Sequence, residues 1–175
     1  MIDFERLAAE FGTPLYVYDA NEIRKRVRFA KGVFESLNAN IVFALKANGN
    51  PAILKVMAQE GIGADVVSRG ELLAAKMAGM QSIVWNGNGK QPEDITHFIN
   101  KSIEYVSIDS LEELPLWDGI DVIKLLRVNP DVDPHTHPHI STGLKTHKFG
   151  VSLDKIGKVV DRIDGLHVQI GRAHV

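Results

Sequence analysis

The sequence predicts an α/β fold built around a parallel β-sheet, and two features of its hydrophobic pattern carry that prediction. Six short apolar segments, rich in β-branched residues, recur about every 20 residues, and a helical pattern follows each of the first five. Their apolarity is continuous rather than alternating, which indicates a sheet covered by helices on both faces. The segments are 41–45, 64–67, 82–86, 105–108, 123–128 and 166–170.

This pattern is compatible with a doubly wound sheet and with a (β/α)8 barrel. No Gly-x-Gly-x-x-Gly turn follows the first strand, which weakens the dinucleotide-binding alternative. The segment "NGNGK" (86–90) lacks the Lys-Ser/Thr ending of a phosphate-binding loop and is interpreted as an ordinary loop. The barrel is therefore favoured, although a complete barrel has eight strands and the sequence provides six of them.

Local signals give the helix starts and one further strand. "PLYVYD" (14–19) is predicted to be a strand ahead of the series because it is rich in Tyr and Val. Ser68-x-x-Glu71 and Ser110-x-x-Glu113 are capping boxes, in which the serine and the glutamate each bond a free backbone N–H. The predicted helices follow Asn21, Asn50, Ser68, about residue 91, Ser110 and residue 152, and the last one covers 153–163.

Composition excludes several classes of protein. The 175 residues carry a net charge of −2, which gives no electrostatic reason to expect nucleic acid or a membrane surface as partner. There are no cysteines, so a disulfide framework and a thiolate metal site are impossible. We find no signal peptide and no apolar run long enough to cross a bilayer, and we expect a cytoplasmic protein.

Polar residues at the ends of the predicted strands are the candidates for chemistry, because barrel active sites form at the carboxyl ends of the strands. The apolar run 41–45 ends at Lys46, for which position alone leaves two interpretations open. One is an ion-paired lysine at the barrel rim. The other is a lysine in an apolar site, whose neutral amine bonds covalently to an aldehyde. The other candidates are Asp65, Asn86, Arg127, His167 and Gln169.

Four segments carry a resemblance to a known family. They are "FGTPLYVYD" (11–19), "FALKANGNPAILKVMAQEG" (43–61), "GADVVSRGEL" (63–72) and "LLRVNPDVDPHTHPHISTGLKTHKFG" (125–150). In this order and spacing they resemble the diaminopimelate decarboxylases, which belong to the alanine-racemase-like, fold-type III enzymes that use pyridoxal 5'-phosphate. The resemblance implies an incomplete (β/α)8 barrel over 21–175, after the N-terminal strand segment 1–20, with the family's β-domain missing.

The resemblance also implies roles for individual residues. Lys46 matches the lysine that holds the cofactor, Asp65 an acidic residue beside it, and Arg127 an arginine near it. Ser68 and Glu71 fall on family motif positions as well, but the capping box already explains both, and we interpret them as structural.

The activity that the resemblance implies is decarboxylation of meso-2,6-diaminopimelate to L-lysine, as part of lysine biosynthesis. It implies a homodimer in the intact parent, and we expect the 175 residues alone to be inactive. Three alternatives stay open: an ornithine or arginine decarboxylase of the same fold, a racemase or cofactor carrier, and a non-catalytic relative. Retention of Lys46 argues against the last of these.

The segment 129–150 has the length of a functional loop. Its histidines could form a zinc site, but three prolines interrupt it and no acidic or thiolate ligand follows at metal spacing. We therefore predict no metal site, and the resemblance places Lys148 and Phe149 near the active-site mouth instead. The histidines are His135, His137, His139 and His147.

The final stretch "LHVQIGRAHV" departs from the family pattern His-x-His-Ile-Gly-Ser, in which the second histidine stacks on the cofactor and the serine meets its phosphate. Gln169 and Arg172 stand at those two positions, while His167 matches the first histidine. One interpretation is real divergence. The other is that "IGRAHV" is a translated sequencing adapter, whose preceding bases A and G would complete a glutamine codon from the first base of a histidine codon. We expect the second, with histidine as the natural residue in place of Gln169.

Overall fold

The computed structural model describes residues 2–100, 103–130 and 150–169, and the predicted parallel sheet is present in them. The α-helices are α1 (Phe4–Phe11), α2 (Ala20–Phe34), α3 (Pro51–Gln59), α4 (Arg69–Ala78) and α5 (Pro92–Ile99). The strands are β1 (Val42–Ala44), β2 (Gly63–Val66), β3 (Ile83–Trp85), β4 (Tyr105–Ile108), β5 (Ile123–Asn129), β6 (Val151–Ser152) and β7 (Gly165–Val168). Short 3-10 helices cover Glu35–Leu37, Leu45–Ala47, Leu111–Trp117, Leu153–Lys158 and Val160–Arg162.

Strands β1 to β5 lie side by side in chain order, and every pair in the sheet is parallel. Val128 of β5 aligns with both Val151 of β6 and Val168 of β7, so β6 and β7 lie on opposite sides of β5. All six predicted strands are therefore confirmed, and β6 is an additional strand of two residues. The architecture is that of an incomplete (β/α)8 barrel.

The core lies between the sheet and the helices that cover it. The indole of Trp85 stacks on the ring of Phe98 with centroids 3.7 Å apart, and Trp117 meets Trp85 edge-on at 5.4 Å. These rings join β3, α5 and the 3-10 helix Leu111–Trp117 into one apolar layer. Strands β2, β3 and β4 are largely buried, as their continuous apolarity predicts. Strand β1 is only half-buried, and β7 leaves Leu166 and Val168 exposed.

Two of the predicted helix caps are confirmed and one is wrong. The side chain of Asn50 accepts a hydrogen bond from the backbone N–H of Ala52, and Pro51 opens α3. Ser68 accepts one from the N–H of Glu71 at 3.2 Å. Asn21 does not cap α2. The Asp19 carboxylate does so instead, accepting from the N–H groups of Asn21 and Glu22.

Three other expectations about secondary structure are wrong. Residues 14–19 form no strand; they pair with no strand among the described residues, and Tyr16 is 90% exposed. Residues 153–163 form two 3-10 helices, in keeping with the low helix propensity of Gly157 and of the adjacent valines. The second capping box is incomplete, because Ser110 bonds no backbone N–H at the start of its 3-10 helix.

The two serines provide a matched test of the structural role assigned to Ser68. Ser68→Ala is expected to lower the free energy of unfolding by about 1 kcal/mol, because the N–H of Glu71 loses its acceptor. Ser110→Ala removes no backbone cap and should change it by less than about 0.5 kcal/mol. Chemical denaturation of both variants measures the difference. Equal losses would show that the Ser68 cap does not stabilise α4.

None of the helices in the described part of the chain combines the length and apolarity needed to cross a membrane.

Candidate functional site

Lys46 and Asp65 lie next to each other at the carboxyl ends of the first two strands. Lys46 occupies the single 3-10 turn Leu45–Ala47 that follows β1 directly. Ala44, two residues before it, is aligned with Asp65 of β2. Lys46 is exposed in this chain. The strand that precedes it, β1, is paired on one side only within the described residues.

The Asp65 carboxyl group is half-buried and incompletely satisfied. Its Oδ1 atom is buried without a hydrogen-bond partner, while its Oδ2 atom lies 3.5 Å from the side-chain nitrogen of Asn86. Burial raises the pKa of Asp65, against the opposing effects of the Asn86 hydrogen bond and the positive charge of Lys46. A buried carboxyl oxygen with a free acceptor position fits a cationic or N–H-bearing group of a ligand.

A second set of side chains converges at the ends of β4, β5 and β7. The Arg127 guanidinium donates to the Asp109 carboxylate at 3.2 Å and to the side-chain oxygen of Gln169 at 2.8 Å. Ser107 Oγ lies 2.6 Å from His167 Nδ1. The sequence predicts Arg127, His167 and Gln169 at this edge, and the structure brings them together there.

The surroundings of the His167 imidazole disfavour its charged form. Burial lowers the pKa of His167, and the positive charges of Arg127, Lys90 and Lys46 lower it further, while Asp109 acts in the opposite direction. Lys46 therefore exerts its charge on both Asp65 and His167.

Sequence reasoning missed Lys90, which follows β3 at the same edge. Its side chain is 2% exposed, and its ammonium lies 3.0 Å from the Glu113 carboxylate. The segment "NGNGK" matches no phosphate-binding pattern, and its sequence alone indicates an ordinary loop. The rule that selected Lys46, a lysine just beyond a strand end, could have selected Lys90 as well.

The remaining site predictions fall on other parts of the chain. His135, His137, His139, His147, Lys148 and Phe149 lie outside the described residues, as do residues 170–175. Among the residues that the structure describes, no group of three or more His, Asp or Glu side chains could hold a metal ion. The hypothesis that histidine is the natural residue in place of Gln169 stays a prediction.

Replacing Asp65 by asparagine tests the cost of its burial. The pKa of Asp65 is raised in the folded state, so folding favours the protonated carboxyl group. The stability that this group contributes is fully present below its ordinary pKa of 3.8, where it is protonated in both states. That stability is lost as the pH rises through the folded-state pKa and the buried group becomes charged. Asp65→Asn is therefore expected to stabilise the chain at pH 7, by about 1 kcal/mol. That gain should vanish below pH 3.8. Thermal unfolding at both pH values checks this, and destabilisation at pH 7 would contradict it.

Known protein families and individual relatives were compared with the sequence of this chain. Residues 20–175 match the model of a family described as "Pyridoxal-dependent decarboxylase, pyridoxal binding domain". The chain is 38% identical to a diaminopimelate decarboxylase of Aquifex aeolicus, with 97% of this chain and 44% of the relative aligned. It is 37% identical to the enzyme of that name from Pseudomonas aeruginosa, over 97% of this chain and 43% of the relative.

Solved structures agree with the fold. The crystal structure of diaminopimelate decarboxylase from Helicobacter pylori complexed with L-lysine superimposes with a TM-score of 0.86 at 34% identity, covering 97% of this chain and 47% of that one. The chain thus spans less than half the length of the relatives it matches. Because the family match covers most of its residues, the chain belongs to the pyridoxal-dependent decarboxylase family.

Proposed function

We propose that this chain is the cofactor-binding part of a diaminopimelate decarboxylase. The whole protein would remove carbon dioxide from meso-2,6-diaminopimelate and release L-lysine. The observation that carries the proposal is the placement of Lys46 and Asp65 on aligned ends of neighbouring strands, in a chain 38% identical to an enzyme of that name. The Helicobacter pylori structure complexed with L-lysine supports an amino acid as the small-molecule substrate.

The residues present fit pyridoxal phosphate as the cofactor. Lys46 supplies an exposed primary amine that can reach an aldehyde, and the unpartnered Oδ1 of Asp65 can accept a hydrogen bond from a cationic nitrogen beside it. When bound, pyridoxal phosphate would take up the electron pair left by the departing carbon dioxide.

The Arg127 half of the site has a positioning role in this proposal. Arg127 is 9% exposed and its guanidinium donates to the Asp109 carboxylate, which holds its charge at the carboxyl end of β5. His167 keeps one ring nitrogen bonded to Ser107, which leaves Nε2 to contact a ligand.

The wider features of the intact protein belong to the same proposal. The family resemblance implies a homodimer, the composition led us to expect a cytoplasmic location, and both stay predictions. An ornithine or arginine decarboxylase of the same fold remains the second candidate, because the family model spans pyridoxal-dependent decarboxylases in general.

Assaying the complete gene product that contains this chain tests the proposal. With pyridoxal phosphate added, we expect carbon dioxide release from meso-2,6-diaminopimelate and far less from ornithine or arginine. Preference for ornithine or arginine would favour the second candidate. Bound cofactor without carbon dioxide release from any of the three would indicate a racemase or carrier, and failure to bind the cofactor would indicate a non-catalytic relative.

A further inference from the structure

A buried lysine links the strand ends that carry the candidate site. We propose that Lys90 is a positioning residue, whose ammonium fixes Ser107 and Asp109 and through them orients His167 and Arg127. The part of this inference that concerns catalysis rests on the proposed function. The part that concerns the orientation of His167 stands on the geometry of the chain alone.

The ammonium of Lys90 is surrounded by acceptors from two strand ends. It donates to the backbone carbonyl of Gly87, in its own loop, and to that of Ser107 in β4, both at 2.5 Å. The carboxylates of Glu113 and Asp109 lie 3.0 and 3.8 Å away. A lysine with a 2% exposed side chain and these acceptors fixes the end of β3 against the end of β4.

The Lys90 cluster consists of the Lys90 ammonium, the Asp109 and Glu113 carboxylates, and the carbonyls of Gly87 and Ser107. Two of its members also contact residues of the candidate site. Ser107 accepts from Lys90 through its carbonyl while its hydroxyl bonds Nδ1 of His167. The Oδ2 atom of Asp109 lies 3.8 Å from the Lys90 ammonium, and its Oδ1 atom accepts a hydrogen bond from Arg127. One cation thereby connects β3, β4, β5 and β7 at the edge where the candidate site lies.

The charges of the cluster balance. Lys90 and Arg127 are positive, while Asp109 and Glu113 are negative. Oδ1 of Asp109 accepts a hydrogen bond from Arg127, its Oδ2 has no hydrogen-bond partner, and Glu113 accepts one from the N–H of Asp109 at 3.0 Å. Removing Lys90 leaves two half-buried carboxylates with a single cation, Arg127. Arg127 and Asp109 would then be drawn from their present positions, since buried charges without partners are costly.

The first readout needs no cofactor. In the 175-residue chain, ¹⁵N NMR of the His167 ring reports which ring nitrogen carries the proton. The Ser107 hydroxyl contacts Nδ1 and can donate to it or accept from it, so a fixed Ser107 geometry favours one of the two tautomers. We expect one dominant tautomer in the unaltered chain and mixed tautomers in Lys90→Met. The titration midpoint of His167 should also move upward in that variant, because a positive charge near the ring is lost. The groups facing the ring in this titration are Arg127, Asp109, Lys90 and Lys46.

Two further variants keep the test decisive. Lys124→Met is the matched control, because the Lys124 ammonium also donates to a backbone carbonyl, that of Ile120, but does so near the start of β5. It should lower stability without changing the His167 signals. Lys90→Arg keeps the positive charge and should remain folded. Its planar guanidinium cannot donate from one atom to the carbonyls of both Gly87 and Ser107, so we expect mixed His167 tautomers in this variant as well. If Lys90→Met does not fold, the His167 tautomers of Lys90→Arg show whether Lys90 orients His167.

The second readout is kinetic and uses the complete gene product with cofactor bound. Lys90→Met is expected to lower kcat by about 10- to 100-fold, the scale of a misplaced site residue, with a smaller change in KM. Unchanged His167 tautomers in both Lys90 variants would overturn the inference. Altered tautomers in a protein that never decarboxylates would leave the Lys90 inference standing and refute the proposed function.

Discussion

Replacing Lys46 by alanine in the complete gene product is expected to lower decarboxylation by about 10³-fold or more, because the amine that bonds the cofactor is lost. Lys55→Ala is the matched control, since Lys55 is exposed on α3 and contacts none of the site residues described above. It should retain the activity of the unaltered protein. Steady-state carbon dioxide release measures both variants, and comparable activity in the two would contradict the assignment of Lys46.

The second large effect concerns the 175 residues by themselves, which we expect to show no turnover of meso-2,6-diaminopimelate above that of a Lys46→Ala control. Closure of a barrel requires strand number, tilt and shear to agree, and β1 is paired on one side only in the described sheet. The aligned relatives are more than twice as long. Turnover by the purified chain that depends on Lys46 would contradict this expectation.

The strands could be predicted because burial on both faces leaves a direct mark on the sequence. β2 and β4 are enclosed by helices, and their apolar runs have no polar interruption except Asp65 and Ser107, which both belong to the candidate site. Caps were predictable where the serine or asparagine acts on its own next turn, as Ser68 does. Local chemistry suffices in these cases.

The errors arise where distant parts of the chain decide the structure. "PLYVYD" (14–19) has the composition of a strand, but a strand needs a neighbour, and it finds none among the described residues. The opposite error occurs at α1, which was not predicted, although Asp3 caps it by accepting from the N–H of Arg6. Residues 153–163 repeat apolar residues at helical spacing, yet they take the tighter 3-10 form.

In the candidate site, too, single residues could be predicted from the sequence but contacts between distant residues could not. Lys46, Asp65, Arg127 and His167 could be found because each stands at the end of a predicted strand. Their partners could not, because the contacts join residues far apart in sequence: Ser107 and His167 are 60 positions apart, and Lys90 and Ser107 are 17 apart. Such contacts depend on the register of neighbouring strands, which the hydrophobic pattern does not specify.

The central claim is that Lys46 bonds the cofactor, and borohydride reduction followed by peptide mapping tests it most directly. The complete gene product is incubated with pyridoxal phosphate, reduced, digested and analysed by mass spectrometry. We predict a pyridoxyl group on the peptide that contains Lys46 and none on the peptide that contains Lys90, whose ammonium is buried among carbonyls and carboxylates. A pyridoxyl group on any other lysine, with Lys46 unmodified, would contradict the claim.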